Sequence, residues 1–185
     1  MTISLEIRQA LDNDLSQINQ VHEKAFGLEQ SQEILRLIND LLHDPTAVPY
    51  LSLVAVQKYQ VVGHILFTPV KIISTEQTVS ASILAPLAVI PDAQNQGIGG
   101  QLIQAGIRLL ENQGIPLVFV LGYPKYYTRY GFVPAFPYGF ITPYPIPDEQ
   151  SDAWMVNILD PLAAEKYAGN IHCADALHHP EYWSK

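Results

Sequence analysis

Leu84–Gly100, LAPLAVIPDAQNQGIGG, is the stretch whose reading decides the fold. An apolar run ends at a proline, a short polar loop follows, and Gly97-Ile98-Gly99-Gly100 opens a segment of helical periodicity. Strand, glycine-rich turn and helix in that order build an anion cradle. The first N–H groups of a helix have no intrahelical acceptor, and the helix dipole adds partial positive charge there. Glycines let a phosphate approach the backbone with no Cβ in the way. The expectation is a phosphate-bearing ligand at the start of a helix near 97–112.

Spacing narrows the ligand. A dinucleotide fold wants G-x-G-x-x-G after a strand. Here Gly97-x-Gly99 is followed by Leu102 where the third glycine belongs. A nucleotide P-loop needs a lysine, and none occurs between Lys71 and Lys125. What remains is Gln94-x-x-Gly97-x-Gly99, preceded by Leu87-Ala88-Val89 and Pro91. About thirty residues on stands Tyr127-Thr128-Arg129-Tyr130-Gly131-Phe132.

The first motif resembles the pyrophosphate loop, Q/R-x-x-G-x-G/A, of the GCN5-related N-acetyltransferase (GNAT) family. The second resembles that family's Y-x-x-x-G-F signature near the acceptor site. The run Val120–Phe132 is most like the bacterial YhbS-type branch. The matched core covers roughly 84–133, and the general layout fits from residue 3 to about 160. The resemblance implies a mixed α/β fold whose central sheet is splayed at the coenzyme A site, with helices on both faces. It implies acetyl-CoA as cosubstrate, its pyrophosphate on the loop Gln94, Asn95, Gln96, Gly97, Ile98, Gly99 and Gly100. It also implies a bulge at Leu87-Ala88-Val89, where the pantetheine arm bonds to strand backbone and an N–H polarises the thioester carbonyl.

Composition bounds the rest. At 185 residues, 48% of them apolar, the chain reads as one domain over 1–160 with a C-terminal extension over 161–185. No run of 18 uncharged apolar residues occurs, and the N-terminus is mixed and charged, so neither membrane insertion nor a signal peptide is expected. Cys173 is the sole cysteine, which excludes an internal disulfide and fits a cytoplasmic location. A net charge of −8 argues against general nucleic-acid binding. A homodimer stays open.

Period-2 alternation marks a strand at 3–10, and Asp12 reads as a helix N-cap. Helical spacing runs from Leu15 to Phe26, with Gly27 as a stop, and again from Ile34 to Leu42 before Asp44-Pro45. Residues 50–57 and 61–74 read as strands joined by a hairpin at Lys58-Tyr59-Gln60, and 79–89 as the next. After the glycine-led helix come a strand at Leu117–Leu121 and a helical turn at Lys125–Tyr130. The proline-rich 132–150 reads as an irregular loop and Met155–Leu159 as a late strand. Leu162–Tyr167 reads as a weak helix, followed by a tail.

The chemistry follows from the resemblance. Moving an acetyl group from a thioester to a primary amine, of a small molecule or a peptide, expels a thiolate. A proton donor helps the sulfur leave. Tyr127 matches the family's tyrosine, with Tyr126 second. A helix N-terminus or a cation is expected to lower such a phenol. The family's frequent N-x-x-A is absent at Val120 and Tyr123, so Gly122-Tyr123-Pro124 is expected to remodel the acceptor side. Glu76, Glu111, Glu149 and His64 are bases by type only, and His64, in an apolar strand, reads more readily as a packed core residue. His172-Cys173 and His178-His179 match no zinc template, so no metal is expected. Two other readings stay open: a catalytically silent acyl-CoA-binding regulatory module, and an unrelated nucleotide or sugar-phosphate binder.

Overall fold

The computed structural model describes residues 4–74 and 78–184. In chain order the strands are β1 (Leu5–Gln9), β2 (Leu51–Gln57), β3 (Gln60–Ile73), β4 (Thr78–Val89), β5 (Leu117–Leu121), β6 (Phe132–Pro134), β7 (Phe140–Ile141), β8 (Trp154–Ile158) and β9 (Gly169–Cys173). They join in one mixed sheet of order β1-β2-β3-β4-β5-β8-β6, with β9 paired to both β3 and β7. The helices are α1 (Leu15–His43), α2 (Ile98–Asn112), α3 (Pro124–Tyr127) and α4 (Pro161–Lys166). The second half of α1 and the chain after β9 cover one face of the sheet; α2 covers the other. The fold is the mixed α/β class implied by the family resemblance.

Local chemistry explains the pieces. Lys58 and Tyr59 both take positive φ, +48° and +64°, between β2 and β3, the geometry of a two-residue turn whose twist matches a hairpin. Gly27 interrupts α1 at φ +78° and ψ 170°, a conformation only glycine adopts cheaply. The predicted stop is therefore a sharp break between two helical segments. On α2 the buried residues Ile98, Leu102, Ile103, Gly106 and Leu110 recur at helical spacing and form its sheet-facing stripe. At Gly106 the ring of Phe67 occupies the space a Cβ would need, so α2 lies close on β3.

Three expectations are corrected. Asp12 does not cap α1. The polar anchor is Asp14, whose carboxylate accepts from Leu11 N–H at 2.7 Å and from the Arg8 guanidinium at 2.7 and 3.1 Å. The 132–150 segment is not wholly irregular, since β6 pairs with β8 and β7 with β9. The tail after Tyr167 contains β9, which pairs antiparallel with Val70–Ile73 of β3, on the edge that β2 leaves beyond Phe67. Ile171, Cys173, Leu177 and Trp183 then enter the same buried cluster as Phe119 and Trp154.

Candidate active site

The site begins where the sheet fails to pair. β4 runs parallel to β5 only over Ser82–Leu84 against Val118–Val120. On its other edge the register with β3 passes from Leu84 opposite Phe67 to Leu87 opposite Ile65. Ala85 and Pro86 thus face one residue of β3, Leu66. This two-for-one count is a β-bulge, lying just before Leu87-Ala88-Val89, where it was expected and where pairing with β3 is regular; bulges bend a strand away from its neighbour. Beyond it the strands separate. Ile90 N–H donates to Val62 O, toward β3. By strand alternation the N–H and C=O groups of Leu87 and Val89 face the gap, and those of Ala88 face β3.

The glycine loop lies at the end of that gap. Asn95 and Gly97 take positive φ, +62° and +78°. Gln94 Nε2 donates to Val89 O at 2.9 Å, tying the loop to the end of β4. The first helical bond of α2 runs from Gln101 N–H to Gly97 O. The N–H groups of Ile98, Gly99 and Gly100 therefore have no helical acceptor, and helix polarity makes that turn a seat for an anion. Gln94, Asn95, Gly97, Ile98, Gly99 and Gly100 line the cavity there; Gln96 does not, and its amide donates to Asp92 O at 3.3 Å.

The glycines also have a role the sequence did not reveal. A Cβ on Gly99 would strike the Tyr126 hydroxyl, and one on Gly100 the Tyr130 hydroxyl and ring. The loop and the tyrosine motif are packed directly together. Tyr126 meets Tyr127 and Tyr130 edge-on at centroid distances of 5.1 and 5.3 Å, and Arg129 lies 5.0 Å over its ring. Gly122 serves Tyr127 likewise, since a Cβ there would enter the ring.

Tyr127 is buried, 8% exposed, against Phe132, and it lines the cavity. Burial pushes its phenol up, and the neighbouring Tyr126 adds to this. Tyr126, the one beside the start of α2 and under Arg129, is pushed up to about 12, first by burial and then by Tyr130; Arg129 only partly opposes this. The expected lowering is overturned because desolvation of a phenolate outweighs one nearby cation. Both phenols hold their protons at neutral pH.

The cavity measures about 880 Å³ and passes through the splay. One end holds the α2 loop, Tyr126, Arg129 and Tyr130. The other reaches the α1 face, where Phe26, Ile34, Leu37, Leu177, Tyr182 and Trp183 line it. Tyr123, 78% exposed, stands at its edge. Neither α1 nor the C-terminal residues were singled out from sequence; their apolar spacing was the only signal.

Among the described residues no carboxylate and no histidine lines this cavity. Glu111 and Glu149 are exposed elsewhere, and Glu76 lies outside the described residues. His64 is buried in the core behind the site. Its Nδ1 lies 2.8 Å from His22 Nε2 and its Nε2 2.9 Å from Ser52 Oγ. Burial holds His22 down at about 4 and His64 well below its ordinary value, so both rings are neutral. Among the described residues no group of three or more metal-ligating side chains is gathered, and no helix is long and apolar enough to cross a membrane.

Comparison with known proteins agrees with this geometry. The family model described as "Acetyltransferase (GNAT) domain" matches residues 6–135. "Uncharacterized N-acetyltransferase YjhQ" of Escherichia coli K12 is 43% identical over 166 residues, 88% of each chain. The corresponding YhbS protein is 33% identical over 128 residues, 68% of this chain and 72% of its own. In sequence the chain is thus nearer YjhQ than the YhbS type suggested by Val120–Phe132. Among solved structures, Escherichia coli YhbS in complex with CoA superposes with a TM-score of 0.85 at 26% identity, over 97% of this chain and 94% of that one. A Brucella melitensis GNAT acetyltransferase in complex with acetyl-CoA gives 0.72 at 28% identity, over 95% and 99%. A domain model matched over residues 6–135, which include the glycine loop and the tyrosine motif, and a relative matched over nearly nine-tenths of both chains, leave one assignment: this chain belongs to the GNAT family of acetyltransferases.

Proposed function

We propose that the protein is an acetyl-CoA-dependent N-acetyltransferase that moves the acetyl group from the thioester to a primary amine by direct attack. The observation that carries this is the cavity through the β4–β5 splay, open to the α2 turn at one end and to the α1 face at the other. Acetyl-CoA fits it physically. The N–H groups of Ile98, Gly99 and Gly100 meet the pyrophosphate, with Gln94, Asn95 and Gly97 shaping the loop around it. Leu87 and Val89 offer backbone groups to the pantetheine arm, and one of their N–H groups polarises the thioester carbonyl. Ala88 contributes its small side chain to the wall.

The amine nitrogen attacks the carbonyl carbon, the carbon–sulfur bond breaks, and the thiolate takes a proton. Tyr127 is the donor. A thiol of pKa about 8.5 is a weaker base as thiolate than a phenol raised above about 10 is as phenolate, so complete transfer is uphill by at least about 2 kcal/mol. Tyr127 therefore acts chiefly by hydrogen-bonding to the sulfur as charge develops. The ammonium proton leaves through water, since no side-chain base lines the cavity among the described residues, and water returns to Tyr127 the proton that ends on the sulfur.

That same lack of a base favours a second reading, an acyl-CoA-binding regulatory module without transfer. Calorimetric titration with acetyl-CoA, with ATP and NADH as controls, followed by thiol release with an amine panel, separates the two. Acetyl-CoA binding with amine-dependent release supports the transferase. Binding without release supports the module, and absence of binding defeats both.

A further inference from the structure

The acceptor half of the cavity has a composition that selects its substrate. On the α1 face the wall is Phe26, Ile34, Leu37, Leu177, Tyr182 and Trp183, with Leu37, Leu177 and Trp183 buried. Resting on the acetyltransferase reading above, we propose that the acceptor is a monoamine whose primary amine is carried on an aromatic or branched apolar body, not a polyamine, an amino sugar or a lysine side chain in a polar peptide.

Two observations support this. The first is the wall. A substrate with many polar groups loses water on entering and needs partners in exchange. Among the described residues the only charged side chain lining the cavity is Arg129, which lies over Tyr126 at the phosphate end. An apolar body loses nothing there, and its release from water favours binding. The second is the charge at the rim. Glu181 adjoins Tyr182 and Trp183 in sequence, while Asp40 lies on α1 just after Leu37. Glu181 and Asp40 both act on the Tyr182 phenol and Arg36 opposes them, so acidic side chains flank the mouth. A cationic amine is drawn to it, and an anionic acceptor is repelled. The two ends of the cavity thus have opposite preferences: the α2 end for the phosphates of one substrate, the α1 end for the single cation of the other.

The test uses the whole protein at saturating acetyl-CoA, with thiol release as readout and calorimetry of acetyl-CoA run beside it. The probes are methylamine, butylamine, 2-phenylethylamine, spermidine and glucosamine. A hydrophobic pocket discriminates by about 10-fold or more per added apolar group. The expected result is kcat/KM rising from methylamine through butylamine to 2-phenylethylamine, with the last at least about 10-fold above spermidine and glucosamine. Ile34→Gln, which adds polarity without charge, should raise KM for 2-phenylethylamine about 10-fold or more while the acetyl-CoA Kd stays within about 2-fold. Preference for spermidine or glucosamine, an Ile34→Gln variant with unchanged KM, or no turnover of any probe while acetyl-CoA binds would each overturn the proposal and leave acetyl-CoA recognition standing. Failure of acetyl-CoA itself to bind would overturn the parent reading and this one with it.

Discussion

Alanine at position 99 puts a methyl group where the Tyr126 hydroxyl stands. Gly99 has helical backbone angles, so the change adds no backbone strain and gains about 0.5–1 kcal/mol of helix propensity. Against this stands the collision. Tyr126 has little room to swing away, with Tyr127 and Tyr130 edge-on and Arg129 over its face. Overpacking of this kind costs about 1–3 kcal/mol. Gly99→Ala should therefore destabilise by roughly 0–2 kcal/mol and weaken acetyl-CoA binding by shifting the loop. Tyr126→Phe alone removes the hydroxyl and its interaction with the neighbouring Tyr130, at a cost of about 1 kcal/mol. In the double variant the offending oxygen is gone, and the nearest atoms to the new methyl are Tyr126 Cζ at 3.5 Å and Val89 Cγ2 at 3.8 Å, ordinary contacts. Urea unfolding of the four proteins should give a favourable coupling of about 1–2 kcal/mol, with acetyl-CoA affinity recovering in the double variant. Additivity within about 0.5 kcal/mol would refute the claim that loop and tyrosine motif are one packed unit.

Tyr127→Phe should lower kcat about 100-fold with acetyl-CoA affinity within about 2-fold; unchanged turnover removes the donor role. His22 is held down at about 4 by burial and His64 well below its ordinary value, so unfolding takes up protons below the ordinary histidine value of 6.5. Stability is then full above about pH 6.5 and falls toward about pH 4, by on the order of 3 kcal/mol from His22 alone; urea midpoints that stay flat across this window would contradict it. Trp183→Ala should cost about 3–5 kcal/mol, because the indole is 2% exposed, donates to Leu177 O at 3.1 Å and meets Trp154 edge-on; a loss under about 1 kcal/mol would show that the segment is only loosely attached. Burial pushes the Cys173 thiol up to about 12, so Ellman's reagent should label it at least about 100-fold more slowly in the native protein than in urea, and equal rates would count against its packing.

What the sequence made legible was local. Gly97-x-Gly99 after an apolar strand and Tyr127-x-x-x-Gly131-Phe132 are short-range patterns, and they led to the right fold and to residues that do line one cavity. What it hid was tertiary. Gly99 and Gly100 read as space for a phosphate, yet their missing Cβ atoms also admit tyrosines some thirty residues away. Gly122 read as part of an altered acceptor segment, whereas it seats the Tyr127 ring. The lowering expected for the phenol failed because burial, a whole-fold property, dominated. β9 was missed although Ile171 and Cys173 are buried and Asn170 and His172 exposed, a clear alternation. Its flanking glycine and short length gave little weight to that pattern.

The bulge at Ala85-Pro86 has a mechanical consequence. Between β4 and β5 only three residue pairs hold one block of the sheet, β1 to β4, against the other, β5 with β8 and β6. A ligand arm lying in the gap supplies the missing rungs and acts as a temporary strand. Amides at Leu87 and Val89, exchanging freely with solvent hydrogen when the gap holds only water, should then slow together. The two blocks, able to breathe apart on their own, should open as one.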